Sequence, residues 1–325
     1  MAKKRKNDMQ PADNMYMKCE DSAEELKRKE IFEMNEIILK NANVDDFIHI
    51  EHIDAPIRMF EYEDHVFKNE HEFVYTMCSK VVSAELHSET ISATSEQIKE
   101  LVRNHGTNVV ELTKSTLMDE SSRSINRYVL NNIKKLSDVS YKKTFTRYDR
   151  IVEFIFRLFK KEYQKKTIVN SKKDLLKKIL LESFDISKET KKGPGTYVIC
   201  NSRVAMNLQD RYSFAPVEKN DKIKTCCGSF LVGKYANLTI FVDPYMSFND
   251  NSIYIGRIVS KTETGLGMAI YDEGTAIKTV ASMAENFEEK QKTMLVMRYS
   301  TFEKGLHPEA NFRKIIFKIK DKTWS

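Results

Sequence analysis

The spacing of apolar residues changes along the chain, and each change predicts a different kind of element. From Ser22 to Lys40, Leu26, Ile31, Met34, Ile37 and Ile38 recur at near-helical steps within a charged stretch, which predicts a helix in a polar arm covering residues 1–45. From Asp46 to Met77 the pattern shortens to alternations such as Phe47-Ile48-His49-Ile50 and Phe73-Val74-Tyr75, broken by Pro56 and by the polar run Glu61 to His65. A period of two fits the strands of an extended hairpin.

Helical spacing then returns. Thr94 and Gln97 have the separation of a capping box for a short helix ending at His105-Gly106. Asn108 with Glu111 can cap the next helix, in which Val109, Leu112, Thr116, Ile125, Val129, Ile133 and Leu136 lie three to five residues apart or at multiples of that step. Unbroken to Leu136, this helix is ~42 Å long, the proportions of a strut. Ser122 falls on the polar side of its pattern. A third helix is predicted near Asp149–Tyr163, with Ile151, Phe154, Ile155, Leu158 and Phe159 on one face, and a fourth begins at Ser171 with Leu175, Leu176, Ile179 and Leu180. The lysines between and around them, Lys160, Lys161, Lys165, Lys166, Lys172 and Lys173, carry no aromatic stacking pattern and read as a solvated surface.

After Lys192 strand signals take over: Tyr197–Cys200, Phe230–Val232, Leu238–Val242, Ser252–Ile258, Met294–Tyr299 and Ile315–Ile319. A hairpin, then helices, then many strands indicates an α+β protein whose sheets lie largely in the second half.

Composition narrows the function classes. With 325 residues, 41% of them apolar, the chain can bury a substantial core. A formal charge of +6 on a body of this size makes nucleic acid a possible neighbour, not an implied ligand. Five cysteines, Cys19, Cys78, Cys200, Cys226 and Cys227, are odd in number and lack paired metal-site spacing, so reduced thiols in a cytosolic setting are expected. The polar N-terminus lacks the apolar stretch of a secretory signal, and no apolar run approaches the ~20 residues of a membrane span.

Several clusters invite chemistry. His49, His52, His65 and His71 lie among Glu51, Glu61, Glu63, Asp64, Glu70 and Glu72, but on an alternating strand His49 and His52 point to opposite faces, so a polar hairpin is preferred over a metal site. Thr264-Gly265-Leu266-Gly267-Met268 lacks the Lys-Ser or Lys-Thr of a phosphate loop and reads as a turn. Cys226-Cys227 has no resolving partner or activating base nearby, and Asp243-Pro244-Tyr245 reads as a strand terminus. Lys3, Lys4, Arg5 and Lys6 read as a solvated tail. No catalytic, cofactor-binding or metal-ligating residue is nominated.

Three blocks carry a resemblance. Between Glu96 and Leu130, Leu101, His105-Gly106, Glu111-Leu112 and Ile125-Asn126-Arg127 follow one another in the order and spacing of the spine-helix region of major capsid proteins of myovirus-type tailed phages. A second block, Gly193, Gly195, Val198, Ile199, Cys200, Ser202, Val204 and Leu208, resembles that family's glycine turn, buried strand and short helix, capped here by Asn201 or Ser202. A third, from Gly228 to Tyr271, resembles its closing strands through Val242 to Tyr245, Gly256 and Gly265-Leu266, followed by Arg298-Tyr299. Ile270 stands in place of a proline, and Arg257 follows Gly256 in place of a lysine-glycine continuation.

The resemblance implies the HK97-like capsid fold. It assigns residues 1–45 to an N-terminal arm, 46–90 to an extended-loop hairpin, 91–192 to a spine helix and peripheral domain, and 193–325 to an axial domain with return strands; residues 141–190 are placed by position alone. It implies a shell-building protein and not an enzyme, in hexamers and pentamers around double-stranded DNA. Other capsid, portal or decoration proteins are the expected partners, with no membrane and no cofactor. The expected location is the virion shell, assembled in the host cytoplasm. The alternatives are a pentameric vertex paralogue of the same fold and, from another class, a nucleic-acid-binding or metal-dependent nuclease protein.

The long helix yields a first test. Replacing Ile125 with proline removes a backbone donor and clashes with the preceding turn, an expected loss of ~3 kcal/mol or more that thermal unfolding would register. Ser122→Ala, on the expected polar side, is the tolerated control.

Overall fold

The computed structural model describes residues 11–69, 72–106, 108–143, 168–169, 172–209, 214–216, 228–258, 265–283 and 289–317. The expected helix at Asp149–Tyr163, the N-terminal basic run, Lys160, Lys161, Lys165 and Lys166, His71 and Cys226-Cys227 lie outside them.

The first helix, α1 (Pro11–Ala42), is longer than its apolar pattern suggested. Met34, Ile38, Leu39 and Ala42 are buried, whereas Leu26 and Ile37, eleven residues or about three turns apart, face solvent together instead of joining the core. Asn43 ends the helix in the left-handed region (φ 54°), a conformation asparagine tolerates, and a single 3-10 turn, Val44–Asp46, follows.

Phe47 and Ile48, expected in the hairpin, are core residues: the Phe47 ring meets Tyr197 and Phe241 edge-on at 5.3 and 4.7 Å. The next strand, β1 (His49–Ile53), is not part of the hairpin either. It pairs in parallel with a strand more than two hundred residues later, His49 opposite Gly267. The hairpin consists of β2 (Ile57–Asn69) and β3 (Glu72–Ser83), which form a separate two-stranded sheet.

β4 (Glu85–Thr94) leads into α2 (Ser95–His105) through a complete capping box: the Gln97 amide donates to Thr94 Oγ1 (3.2 Å) and the Thr94 amide to Gln97 Oε1 (3.0 Å). Gly106 closes α2 at φ 59°. In α3 (Val109–Lys143) the Asn108 side chain accepts from the Val110 amide at 3.2 Å, and the helix continues past Leu136 to 35 residues, ~52 Å. Its buried stripe starts later than the apolar pattern suggested. Leu112 is 41% exposed, and burial begins at Leu117 and continues through Ile125, Val129, Leu130, Ile133 and Leu136.

Ser122 corrects a second expectation. It is 0% exposed, and its hydroxyl reaches the Met118 carbonyl (2.8 Å) and the Ile38 carbonyl of α1 (3.0 Å). A small side chain lets the two helices approach, and its hydroxyl is satisfied by their backbones, so a polar residue occupies the packed face.

The remaining elements are β5 (Ile168–Val169), α4 (Lys172–Thr190), β6 (Tyr197–Cys200), α5 (Ser202–Gln209), β7 (Phe214–Pro216), β8 (Phe230–Tyr235), β9 (Leu238–Val242), β10 (Ser252–Gly256), β11 (Leu266–Met283), β12 (Glu289–Glu303) and β13 (Phe312–Phe317). Leu266-Gly267-Met268, read as part of a turn, opens β11, where Leu266, Met268, Ala269 and Ile270 are buried. One sheet has the order β1-β11-β12-β4 and another β5-β13-β10-β6-β9-β8-β7. Helix α3 packs against both. Its apolar side chains share one core with Ile199, Phe241, Tyr254 and Phe312 of the larger sheet and with Leu266, Met268, Leu295 and Met297 of the smaller. A second core joins α4 and α5 to the larger sheet.

The burial of Ser122 sets its own test. Ser122→Ala removes the hydrogen bond between α3 and α1 and is expected to cost about 1 kcal/mol in denaturant unfolding. Lys114→Ala, on the exposed first turns of α3, is the control expected to stay within about 0.5 kcal/mol.

Candidate functional site

The three motif blocks, far apart in sequence, meet around α3. In the Ile125-Asn126-Arg127 triplet each side chain does something different. Ile125 enters the core. Asn126 is 1% exposed; its amide donates to the Ala42 carbonyl (2.7 Å) and to Ser229 Oγ (2.8 Å), while its oxygen accepts from the Ser229 amide (3.1 Å). Asn43 donates to the Ser229 carbonyl at 3.1 Å. The end of α1, the middle of α3 and the approach to β8 are thereby fastened at one point. Gly228 makes the fit possible: its φ is +144°, and a Cβ there would lie 2.6 Å from the Asn126 side chain.

Arg127 turns the other way and lies 4.8 Å from the centre of the Tyr245 ring. About two turns further on, Lys134 reaches Asp243 at 2.7 Å. Asp243 is 2% exposed, so its carboxylate needs this partner; its other oxygen accepts from the Tyr245 amide at 2.9 Å. The Val242-to-Tyr245 segment is a strand terminus, as read, and it also docks the larger sheet onto α3.

The second block is fixed by close approach. A Cβ on Gly256 would lie 2.2 Å from the ring of Tyr197, its partner across the β10–β6 ladder. Of the two residues able to cap α5, Asn201 accepts from the Val204 amide at 2.8 Å. Its amide group also donates to the carbonyls of Ser247, Phe248 and Asp250, so one side chain caps a helix and holds the loop after β9. Arg313, 3% exposed, ties Ser140 of α3 to Glu189 of α4.

Beyond these contacts, an apolar face of the hairpin stands exposed. On one face of the hairpin Phe60 stacks on Phe302 of β12 (4.4 Å between centroids, 14° between planes), and Val82 joins the same small core. On the other face Ile57, Met59 and Val81 are exposed, with Met59 directly opposite Val81 in the ladder. Met77, further out, is 66% exposed. A two-stranded ribbon is marginal on its own, and neighbouring exposed apolar residues on it make a candidate contact surface. Val102 of α2 and Val110 and Leu112 of α3 are exposed as well.

Of the histidines singled out in the sequence, His49 and His52 lie on β1. His52 on β1 contacts Asp272 of β11 (2.8 Å) and Glu36 of α1 (3.1 Å), neither of them in the acidic cluster around it in sequence; His65 lies on β2. Among the described residues no three His, Cys, Asp or Glu side chains are arranged to hold a metal ion. Burial pushes the Cys200 thiol up to about 12, which suppresses its thiolate. Among the described residues no helix is long and apolar enough to cross a membrane.

The polar residues that organise this region are Ser122, Asn126 and Asp243. Asn126 stood out by resemblance and Asp243 as a turn, and only their pairing with Ser229 and Lys134 supplies their roles. The signal available in the sequence is a run of small or amide side chains, Ser122, Asn126, Ser137 and Ser140, at the same helical spacing as the apolar ones.

A family model described as Major capsid protein Gp23 matches residues 14–320. No curated protein sequence matches the chain. Similar solved structures include a chain of Microbacterium phage Oxtober96, with TM-score 0.50, 8% identity, and coverage of 84% of this chain and 90% of that one. Others are the virus-like particle from Pyrococcus furiosus (TM-score 0.46, 12% identity, 87% and 97% covered) and the capsid of Myoviridae Phage XM1 (0.41, 9%, 83% and 90%). At such identities likeness concerns the fold alone.

The Asn126 junction is open to direct test. Asn126→Ala strands the Ala42 carbonyl and both Ser229 partners in a buried place, and an expected loss of about 1–3 kcal/mol should appear in chemical denaturation without loss of helix content in the native state.

Proposed function

The chain belongs to the major capsid protein Gp23 family and has the HK97-like α+β fold of a head-shell protein, and on that basis we propose that its copies close a phage head as hexamers and pentamers. The observation that carries this reading is the two-faced hairpin. One face is fixed to its own subunit by the Phe60–Phe302 stack, and the other presents Ile57, Met59, Val81 and Met77 outward. We assign that outward face to a neighbouring subunit, where its burial adds to several modest contacts; repeated around a closed ring, such contacts reinforce one another.

In the same reading residues 1–45 are the arm, 46–90 carry the extended loop, 91–192 the spine helix and peripheral region, and 193–325 the axial domain with its return strands. Two observations refine these limits. Pairing of β11 and β12 with β1 and β4 supports counting residues 266–303 as the return, and the packing of α4 on the larger sheet favours placing that helix with the axial domain. Packaged double-stranded DNA is proposed as a non-specific neighbour, portal or decoration proteins as further partners, and the host cytoplasm as the place of assembly.

Electron microscopy and light scattering of the purified chain test the proposal. Shells, tubes or six-membered rings are expected, and a protein that stays monomeric across concentration, salt and pH contradicts it. The double variant Met59→Lys with Val81→Glu, which sets opposite charges across the ladder, should keep its circular dichroism and melting temperature while losing assembly, because both side chains are solvent-facing in the isolated subunit. Undiminished assembly of this variant would remove the hairpin from the interface.

A further inference from the structure

His52 occupies the place where α1 leaves the body of the subunit. Beyond it toward the C-terminus, Ile38, Leu39 and Ala42 are buried against α3; before it, residues 24–30 are all exposed. Around the imidazole three residues of α1 gather. Phe32 packs on the ring at 5.0 Å, Glu36 Oε1 lies 3.1 Å from Nε2, and Asn35 donates to Asp272 Oδ1 at 2.8 Å. Asp272, on β11, places its other oxygen 2.8 Å from His52 Nδ1. The ring forms one wall of a cleft of about 590 Å³ between α1 and the ends of β1 and the adjoining stretch of β11.

Both ring nitrogens thus face carboxylate oxygens at hydrogen-bond distance. A carboxylate can only accept, and a neutral imidazole has a single N–H, so the neutral ring satisfies one of these contacts and sets a lone pair against the other. Only the imidazolium donates to both. The wider surroundings agree. The charged groups facing the site are Glu25, Arg28, Lys29 and Glu36 from α1, Asp54 from the turn after β1, and Asp272 and Glu273 from β11. Arg28 already has Glu273 as a partner at 3.4 Å. Carboxylates outnumber cations, which favours a positive ring.

We propose that His52 is a proton-operated latch: protonated, it bridges Asp272 and Glu36 and clamps the arm helix to the four-stranded sheet; deprotonated, it releases the arm at that point. The hydrogen bond to Asp272 holds the ring above the ordinary histidine value of 6.5; burial pulls the other way, and the charges of Asp272 and then Glu36 add to the upward shift. A group raised in this way contributes its full stabilisation below its ordinary value and loses it as pH rises through the raised one. The latch is therefore closed below the ordinary histidine value and opens as pH rises through the raised one. It lies within one subunit, so its operation does not depend on how subunits assemble.

Amide hydrogen exchange of the full chain, corrected for the intrinsic pH dependence of exchange, reads the latch directly at about pH 6 and about pH 9, on either side of an upward-shifted histidine. Segments covering residues 24–36 should be several-fold less protected at the higher pH. His52→Gln should show the less protected level at both, and His52→Arg, charged throughout, should show no dependence on pH. His87→Gln, which removes a histidine stacked on Tyr299 elsewhere in the subunit, should behave as the unaltered chain. Equal protection at both pH values in the unaltered chain, or a pH dependence that survives in His52→Gln, would overturn the proposal.

Discussion

A helix of 35 residues laid across two sheets has to bury most of one side, and that side cannot be wholly apolar where backbones from two directions end against it. Ala42 ends α1 there, Ser229 leads into β8, and both bring polar backbone groups into a place without water. Asn126 answers both with one amide, and the rest of the subunit is arranged around that fact. Gly228 has no side chain so that Asn126 has room, and Asn43 takes the left-handed conformation that turns its own amide toward Ser229. Paired polar groups in a dry interior add little net stability compared with what their loss costs, so the arrangement fixes register more than it strengthens the fold.

Around this junction rigidity is graded. Lys134 with Asp243, Lys314 with Asp138, and the Arg127–Tyr245 contact bind the larger sheet to α3 through charged groups whose partners are specific in position. The hairpin, by contrast, is held at its root by a ring stack, a few aliphatic contacts and the solvent-exposed Lys80–Glu303 pair, which tolerate small rotations.

Much of this was legible in the sequence. The Thr94–Gln97 box, the left-handed Gly106, the strands Tyr197–Cys200 and Leu238–Val242 and the long helix follow from local chemistry, because each is decided by residues close together. β4 and β11 escaped notice since their strand character comes from pairing with β12, and the glycines at the start of β11 imitate a turn. Ser122 misled because a serine on a helix reads as surface unless the neighbouring helix is known to press on it. Leu26, Ile37 and Leu112 misled in the opposite sense, for an apolar residue keeps the same spacing whether its own chain covers it or leaves it open.

The parallel pairing of β1 with β11 bears on how the subunit comes into being. The hairpin is flanked by β1 and β4, and those strands find their partners, β11 and β12, only between residues 266 and 303. Closing so long a stretch of chain is slow, and it cannot begin until that region has left the ribosome. A nascent chain therefore carries its hairpin without the footing that aims it until β11 and β12 have been made. The surface proposed to meet a neighbour is therefore properly presented only once β11 and β12 have been made and have paired.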